Sequence, residues 1–280
     1  MVLPFTQLLT RSYPEHAVRA RWSGQRMTPP STIARLIAET WTNASIEATD
    51  RGRDLFPGAM TRLLGWSADD QTLTLDLGPT DYREFVGTNL RHPELASRYG
   101  RDALANPLGI SVAVVTSDGR LVVQRRSESV FEYPGYFHVC GGNVEPDDVD
   151  GPAAPGVFAA ARRELEEEFG IAVEAITEMV CLGLAENSTI LKPDLLTEAR
   201  VARPAAAFAS TRHPEYSHLS FIDGADGLLR FLTAHATETS PVGLACLTTV
   251  GRHRFGEDWF EVATDRVNGC FPTTGRASYS

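Results

Sequence analysis

The sequence predicts an α/β (α+β) protein, with a mixed sheet in its larger part and a smaller amino-terminal α+β region ahead of it. Two observations carry this reading. From Gly109 onward, short β-branched runs alternate with helical patterns, whereas the first hundred residues mix the two more loosely.

Before the sheet begins, apolar spacing suggests a helix around Ile33 to Ile46, a strand from Thr72 to Leu77 and a short helix from Asp81 to Phe85. A boundary is expected at Asn106-Pro107, because proline punctuates the chain there and the pattern then changes. It separates an amino-terminal region, 1–105, that packs on the core from a larger domain, 106–272. ISVAVVT and RLVVQRR, joined by Ser117-Asp118-Gly119, read as a hairpin of two buried strands. After HVCGGNVEP comes the helical stretch ARRELEEEFGI (161–171). Strands are then expected at Val180 to Glu186, Glu198 to Val201 and His218 to Ile222. A helix from Asp226 to His235 and two apolar-periodic stretches, Leu244 to Val250 and Trp259 to Val267, complete the domain. The closing residues 273–280 read as a frayed tail.

The bulk composition, 42% hydrophobic and 22% charged over 280 residues, is that of a globular protein. No apolar run approaches the ~20 residues of a membrane span, and the opening lacks the basic lead and apolar core of a secretory signal, so the expectation is a cytoplasmic protein. A formal charge of -10 argues against a nucleic-acid surface. A polyphosphate ligand would need a bridging cation. Cys140, Cys181, Cys246 and Cys270 form no CxxC pair, and buried free thiols are expected.

In ARRELEEEFGI, four of the five positions 164–168 are glutamate. Like charges one turn apart repel, so the cluster needs a reason. Setting Glu164 at zero on a 100° projection places Glu168 near ~40°, Glu167 near ~300° and Glu166 near ~200°. Three carboxylates therefore share a face, while Phe158, Ala161, Leu165 and Phe169 form the stripe that a core-facing helix needs. Arg163, one turn before Glu167, is expected to pair with it. Gly170 supplies the stop.

The run Arg163-Glu164-Leu165-x-Glu167-Glu168-x-Gly170-Ile171 resembles the second half of the Nudix box, the signature of hydrolases that cleave nucleoside diphosphates linked to another group. The resemblance implies a Nudix-type α/β/α sandwich. It also implies a metal site of Glu164, Glu167 and Glu168 with the Gly141 carbonyl, and a catalytic set of Glu164, Glu167, Glu168 and Arg163. Either Glu168 or Glu164 would serve as base. The chemistry is coherent: an attacking water is repelled by a pyrophosphate, and a hard divalent cation, Mg²⁺ or alternatively Mn²⁺, offsets that charge and acidifies the water.

The first half of the box departs from the family pattern. Gly142 keeps its five-residue spacing to Asp148, where the family has glutamate, and residues 149–162 stand where the family has seven. The extra residues, punctuated by Pro152 and Pro155, are expected to bulge as a surface loop near the site mouth.

LGPTDYREFVGTN (77–89), ANPLGISVAVVTSDGRLVVQRRSESV (105–130) and GGNVEP (141–146) resemble the branch of Nudix proteins that splits UDP-glucose or UDP-galactose into UMP and sugar 1-phosphate. With a nucleotide sugar as the small-molecule partner, Arg125 or Arg126 is placed to reach a phosphate, since a strand sends neighbours to opposite sides. Tyr82 and Phe85 have the chemistry to stack on a base, and Thr88 and Asn89 to bond its edge or the sugar. Asn187 is either a sugar or phosphate contact or a turn cap. Glu198, Glu215 and Asp223 compete as an acid from outside the box. His138 is expected to pack beside the glycine turn, and Lys192 to be a solvated loop lysine. Alternative substrates are ADP-ribose, NADH or coenzyme A, although the SQPWPFP-like array and four-cysteine site of the NADH branch are missing. A non-catalytic nucleotide sensor is the remaining alternative, against which stand the three retained glutamates.

Overall fold

The computed structural model describes residues 3–50, 52, 54–151, 154–208 and 211–271; the tail expected at 273–280 lies outside them. The chain opens with strands β1 (Phe5–Leu9), β2 (Tyr13–Pro14) and β3 (Val18–Trp22), none of which was anticipated. Helix α1 (Ser31–Asp50) follows, then strands β4 (Ala59–Ala68) and β5 (Leu73–Asp81). A single helical turn, α2 (Tyr82–Phe85), runs into a π-helical turn at Val86–Leu90, and α3 (Leu95–Tyr99) closes this part. Asp81 starts α2 by accepting the Glu84 N–H at 2.8 Å.

Next come β6 (Gly109–Val115), β7 (Leu121–Arg126), β8 (Phe137–His138) and β9 (Cys140–Asn143). The turn α4 (Pro146–Val149) precedes the glutamate helix α5 (Phe158–Phe169). Strands β10 (Ile176–Asn187), β11 (Lys192–Val201) and β12 (Tyr216–Ile222), then helices α6 (Gly224–His235), α7 (Pro241–Phe255) and α8 (Glu257–Cys270), complete the described chain.

The main sheet runs β1-β10-β11-β6-β7-β12, with β2 added to β10, β8 to β7 and β9 to β6. It is mixed, since β11 and β6 are parallel while the other pairs are antiparallel. A second sheet, β3-β5-β4, is contributed by the amino-terminal hundred residues. The very first strand nevertheless belongs to the main sheet, where Phe5 pairs with Asn187. Gly183, at φ 133° in a bulge of β10, makes this possible: a Cβ there would collide with the Leu9 carbonyl.

Strand alternation divides the core into two layers. Ile110, Val112 and Val114 face α5 and the leucines Leu73, Leu75 and Leu77 of the small sheet, whereas Ala113 and Val115 face α6, α7 and α8. Helices thus cover both faces of the main sheet. The α5 stripe is the expected one: Phe158, Ala161, Leu165 and Phe169 are all buried in the first layer. Among the described residues no helix is long and apolar enough to cross a membrane. Cys140, Cys181 and Cys246 are buried free thiols, and Cys270 is half-buried.

The insertion before α5 is only partly loose. Pro152 lies outside the described residues, but Val149 and Val157 on either side are buried in the core, and the Gly156 N–H bonds the Asp148 carbonyl at 2.8 Å. The ends of the bulge are therefore already tied together. Removing residues 150–155, between those tied ends, is expected to keep the fold and lower the melting temperature by only a few degrees, the effect of ~1 kcal/mol. Loss of the cooperative melt in that deletion would show that the bulge is part of the core.

Candidate active site

One polar cavity of about 320 Å³ lies between the β9 strand with its glycines, the glutamate face of α5, and the ends of β7, β10 and β11. Local sequence explains the positioning of α5. Gly170 adopts a left-handed φ of 62°, so that its N–H and that of Ile171 reach back to the carbonyls of Glu166 and Leu165. The helix is thereby stopped and its phase fixed. Gly141 and Gly142 bring bare backbone up to the acids, and a Cβ at Gly142 would run into the Glu164 carboxylate.

Glu164 and Glu167 line the cavity. Glu168 sits behind them, 2% exposed, with neither carboxylate oxygen hydrogen-bonded. Glu166 is exposed and outside the lining, as the projection requires. Burial pushes the Glu164 carboxyl up to about 7 against the pull of Arg163, and burial together with the charge of Glu164 pushes Glu168 up to about 8.

Arg163 does not pair with Glu167. It binds Glu164 at 2.9 Å, Asp148 at 3.2 Å, Glu145 at 3.4 Å and the Asn143 carbonyl at 3.0 Å. Side chains on a helix lean toward its N-terminus, which carries the guanidinium back onto the segment before the helix rather than forward by a turn. Asp148 acquires a definite role in the process. Its carboxylate accepts the Glu145 N–H at 2.8 Å as well as Arg163, so it ties the turn before the insertion to the box helix.

The donor set suits a hard divalent cation: three carboxylates from one helix, an adjacent glycine backbone, and in Glu168 a buried carboxylate whose oxygens lack partners. Among the described residues no three acidic, histidine or cysteine side chains already converge on a point that an ion could occupy.

Opposite the helix, strand alternation separates the two arginines. Arg126 lines the cavity and donates from Nε to the Glu132 carbonyl at 3.0 Å. Arg125 turns away, pairing with Glu238 at 2.9 Å and lying over the Phe137 ring. Asn187 is both a turn cap and a lining residue. Its Oδ1 accepts the Thr189 and Ile190 N–H groups, and its Nδ2 donates to the Tyr133 hydroxyl at 2.7 Å. His138 also lines the cavity, with Nδ1 2.6 Å from Ser240 Oγ, and burial holds its ring well below the usual histidine range.

The four candidates of the amino-terminal stretch are not brought into the cavity. Phe85, Thr88 and Asn89 are wholly buried, and Tyr82 packs among Trp41, Phe85 and Phe131. Asn89 instead bridges two backbone segments: Nδ2 donates to the Ile190 and Leu191 carbonyls at 3.1 Å each, and Oδ1 accepts the Asn106 N–H at 2.8 Å. Thr88 Oγ1 donates to the Glu84 carbonyl and accepts the Ala105 N–H. Of the three acids considered outside the box, Glu215 lines the cavity, Glu198 is buried against Arg200, and Asp223 stands exposed ahead of α6.

Two further lining residues, Lys192 and Asp194, differ from what the sequence suggests. Lys192 is not a solvated loop lysine: it begins β11, is 8% exposed and pairs with Glu132 at 3.1 Å. Asp194, two residues on and so on the same side of the strand, is buried, bonded to Ser111 at 3.0 Å, and pushed by burial up to about 7. The local signal was the i, i+2 spacing of Lys192 and Asp194, which the intervening Pro193 disguised as a loop.

Residues 105–205 match the NUDIX domain family. That segment is similar to a NUDIX domain. Over 143 residues it is 34% identical to the uridine diphosphate glucose pyrophosphatase NUDT22 of Mus musculus, covering 44% of this chain and 46% of that one. It is 27% identical over 189 residues to Nudix hydrolase 9 of Arabidopsis thaliana, covering 56% of this chain and 60% of that one. The chain thus spans about half the length of the curated relatives it matches. A solved NUDIX hydrolase from Alicyclobacillus acidocaldarius overlaps 50% of this chain and 88% of its own, at 16% identity and a TM-score of 0.36. The matched segment holds the glycine strand, the glutamate helix, Arg126, Asn187, Lys192 and Asp194.

Proposed function

We propose that the chain is a divalent-cation-dependent pyrophosphatase that hydrolyses a nucleoside diphosphate sugar, with UDP-glucose or UDP-galactose yielding UMP and sugar 1-phosphate. The observation that carries the reading is the cavity itself, where the box carboxylates of a NUDIX domain face a cationic wall containing Arg126 and Lys192. The choice of uridine rests on the likeness to the mouse protein.

Glu164, Glu167 and Glu168, with the Gly141 carbonyl, are the residues that would hold Mg²⁺ or Mn²⁺, which when bound supplies phosphate charge neutralisation and an acidified water. The protein's own groups do the rest. Arg163, committed to Glu164 and Asp148, keeps the first carboxylate aimed at the cavity. Arg126 is positioned to meet a phosphate oxygen. Glu168 or Glu164 takes the proton of the attacking water, as carboxyls raised by burial toward neutral pH are suited to do.

A panel of UDP-glucose, UDP-galactose, ADP-ribose, NADH and coenzyme A, assayed for UMP against AMP, tests the reading. UMP release is expected to dominate, to disappear in EDTA, and to return with Mg²⁺ or Mn²⁺. Undiminished turnover in chelator would overturn the metal site, and faster AMP release would overturn the choice of base.

A further inference from the structure

Of the 26 lysine and arginine residues in the chain, only one, Lys192, is lysine. Everywhere else, on surface and in core alike, the sequence supplies its positive charge as arginine. The exception is 8% exposed and lines the cavity. An arginine would serve a structural ion pair with a carboxylate at least as well, since its planar fork matches carboxylate geometry. A compact ammonium with three rotatable donors is instead suited to a partner that comes and goes.

The present partner has the right chemistry to be a stand-in. Both Glu132 oxygens lie within bonding distance of Lys192 Nζ, at 3.1 and 3.3 Å, and the Glu132 carbonyl takes the Arg126 Nε–H at 3.0 Å. One residue therefore occupies both cations on that wall of the cavity. Its neighbour Tyr133 holds a left-handed φ of 49°, a costly conformation for a bulky side chain, and is fastened there by the Asn187 amide. The short segment carrying Glu132 is thus pulled inward and held under strain.

We infer that Lys192 is a substrate-binding residue for a phosphate group, and that the Glu132 carboxylate is an internal anion competing for the same ammonium. The inference rests on the pyrophosphatase reading above and deepens it. Phosphate displaces the Glu132 carboxylate from Nζ, and the acid moves away with the segment around Tyr133. Affinity is then lower than the cavity's cations alone would give, because substrate competes with an internal anion.

Two variants and one binding measurement test this. Lys192→Met is expected to raise KM for UDP-glucose by at least about 10-fold, the loss of one charge-assisted hydrogen bond. Glu132→Gln, which keeps the lysine but weakens its occupant, is expected to tighten binding of UDP to the Mg²⁺-loaded protein several-fold in calorimetry. A purely structural pair predicts the reverse pattern: both variants lose melting temperature while KM and UDP affinity stay within two-fold, and that result overturns the inference. If Lys192→Met does not fold, Glu132→Gln alone decides, since unchanged or weaker UDP binding also overturns it. Should the wild-type chain hydrolyse none of the panel, the proposed function fails separately. The lysine site is still judged then, by whether Glu132→Gln tightens binding of UDP and of inorganic pyrophosphate.

Discussion

Glu168→Gln is expected to lower kcat by about 10² to 10⁴ while raising the stability of the metal-free protein. The loss follows from removing one charge from the proposed cation site or the general base. The gain follows from burial: wild-type Glu168 carries a carboxylate with no hydrogen-bond partner, and glutamine has no charge to desolvate. The sign of the pH dependence is fixed by the raised carboxyl. A group at about 8 in the folded chain and 4.5 unfolded holds its proton longer when folded, so wild-type stability falls as pH rises from 4.5 to about 8. The variant's advantage should be absent below pH ~4.5 and fully developed above pH ~8. Thermal melts across that range, in EDTA, measure it, and a pH-independent difference would refute it. Glu166→Gln, on the exposed face, should leave kcat within about two-fold.

Asn89→Ala is expected to cost about 3–5 kcal/mol of stability, the largest single effect of any substitution proposed in the amino-terminal region. One amide serves the Asn106 N–H and the Ile190 carbonyl, both buried, and the Leu191 carbonyl, which Arg101 also reaches. Asn106 and Leu191 are also two of the three non-glycine residues with positive φ among the described residues, at 47° and 53°. Truncation would leave buried groups unpaired and release two strained residues together. Because Leu191 precedes Lys192, KM should also rise, yet the ratio of UMP to AMP release should not change. A shift in that ratio with an unaltered melting temperature would restore the direct contact with substrate that the sequence suggested.

What the sequence made legible was what repeats at short range. The helix α5 could be phased because its stripe, its charges and its terminal glycine agree within one stretch, 158–170. That only one of Arg125 and Arg126 would reach the site was legible because a strand has period two, but which one was decided by the neighbours of β7. Strands β1 to β4 were missed for physical reasons that differ. Pairing of FTQLL with β10 is decided by a partner some 180 residues away, as the 177-residue separation between Gln7 and Leu184 shows. AMTRLLGWSA lacks clean alternation where its register slips at Gly65. Asn89 illustrates the limit most clearly. A polar residue ending a helix can face a ligand or two distant backbone segments, and nothing local distinguishes them.

The pairing of β1 with β10 has a consequence for how the chain comes to be folded. Phe5–Leu9 is made long before its partner, since the strand it must lie against ends at Asn187, so this edge stays open until residue 187 has been made. Closing so long a loop is slow, and the waiting segment is apolar. Asn187, which caps the turn beside the cavity, is the residue that Phe5 meets in register. Docking of this earlier strand is therefore what completes the wall of the cavity, and the nascent chain would acquire its α5 carboxylates well before the framework that gives them a closed site.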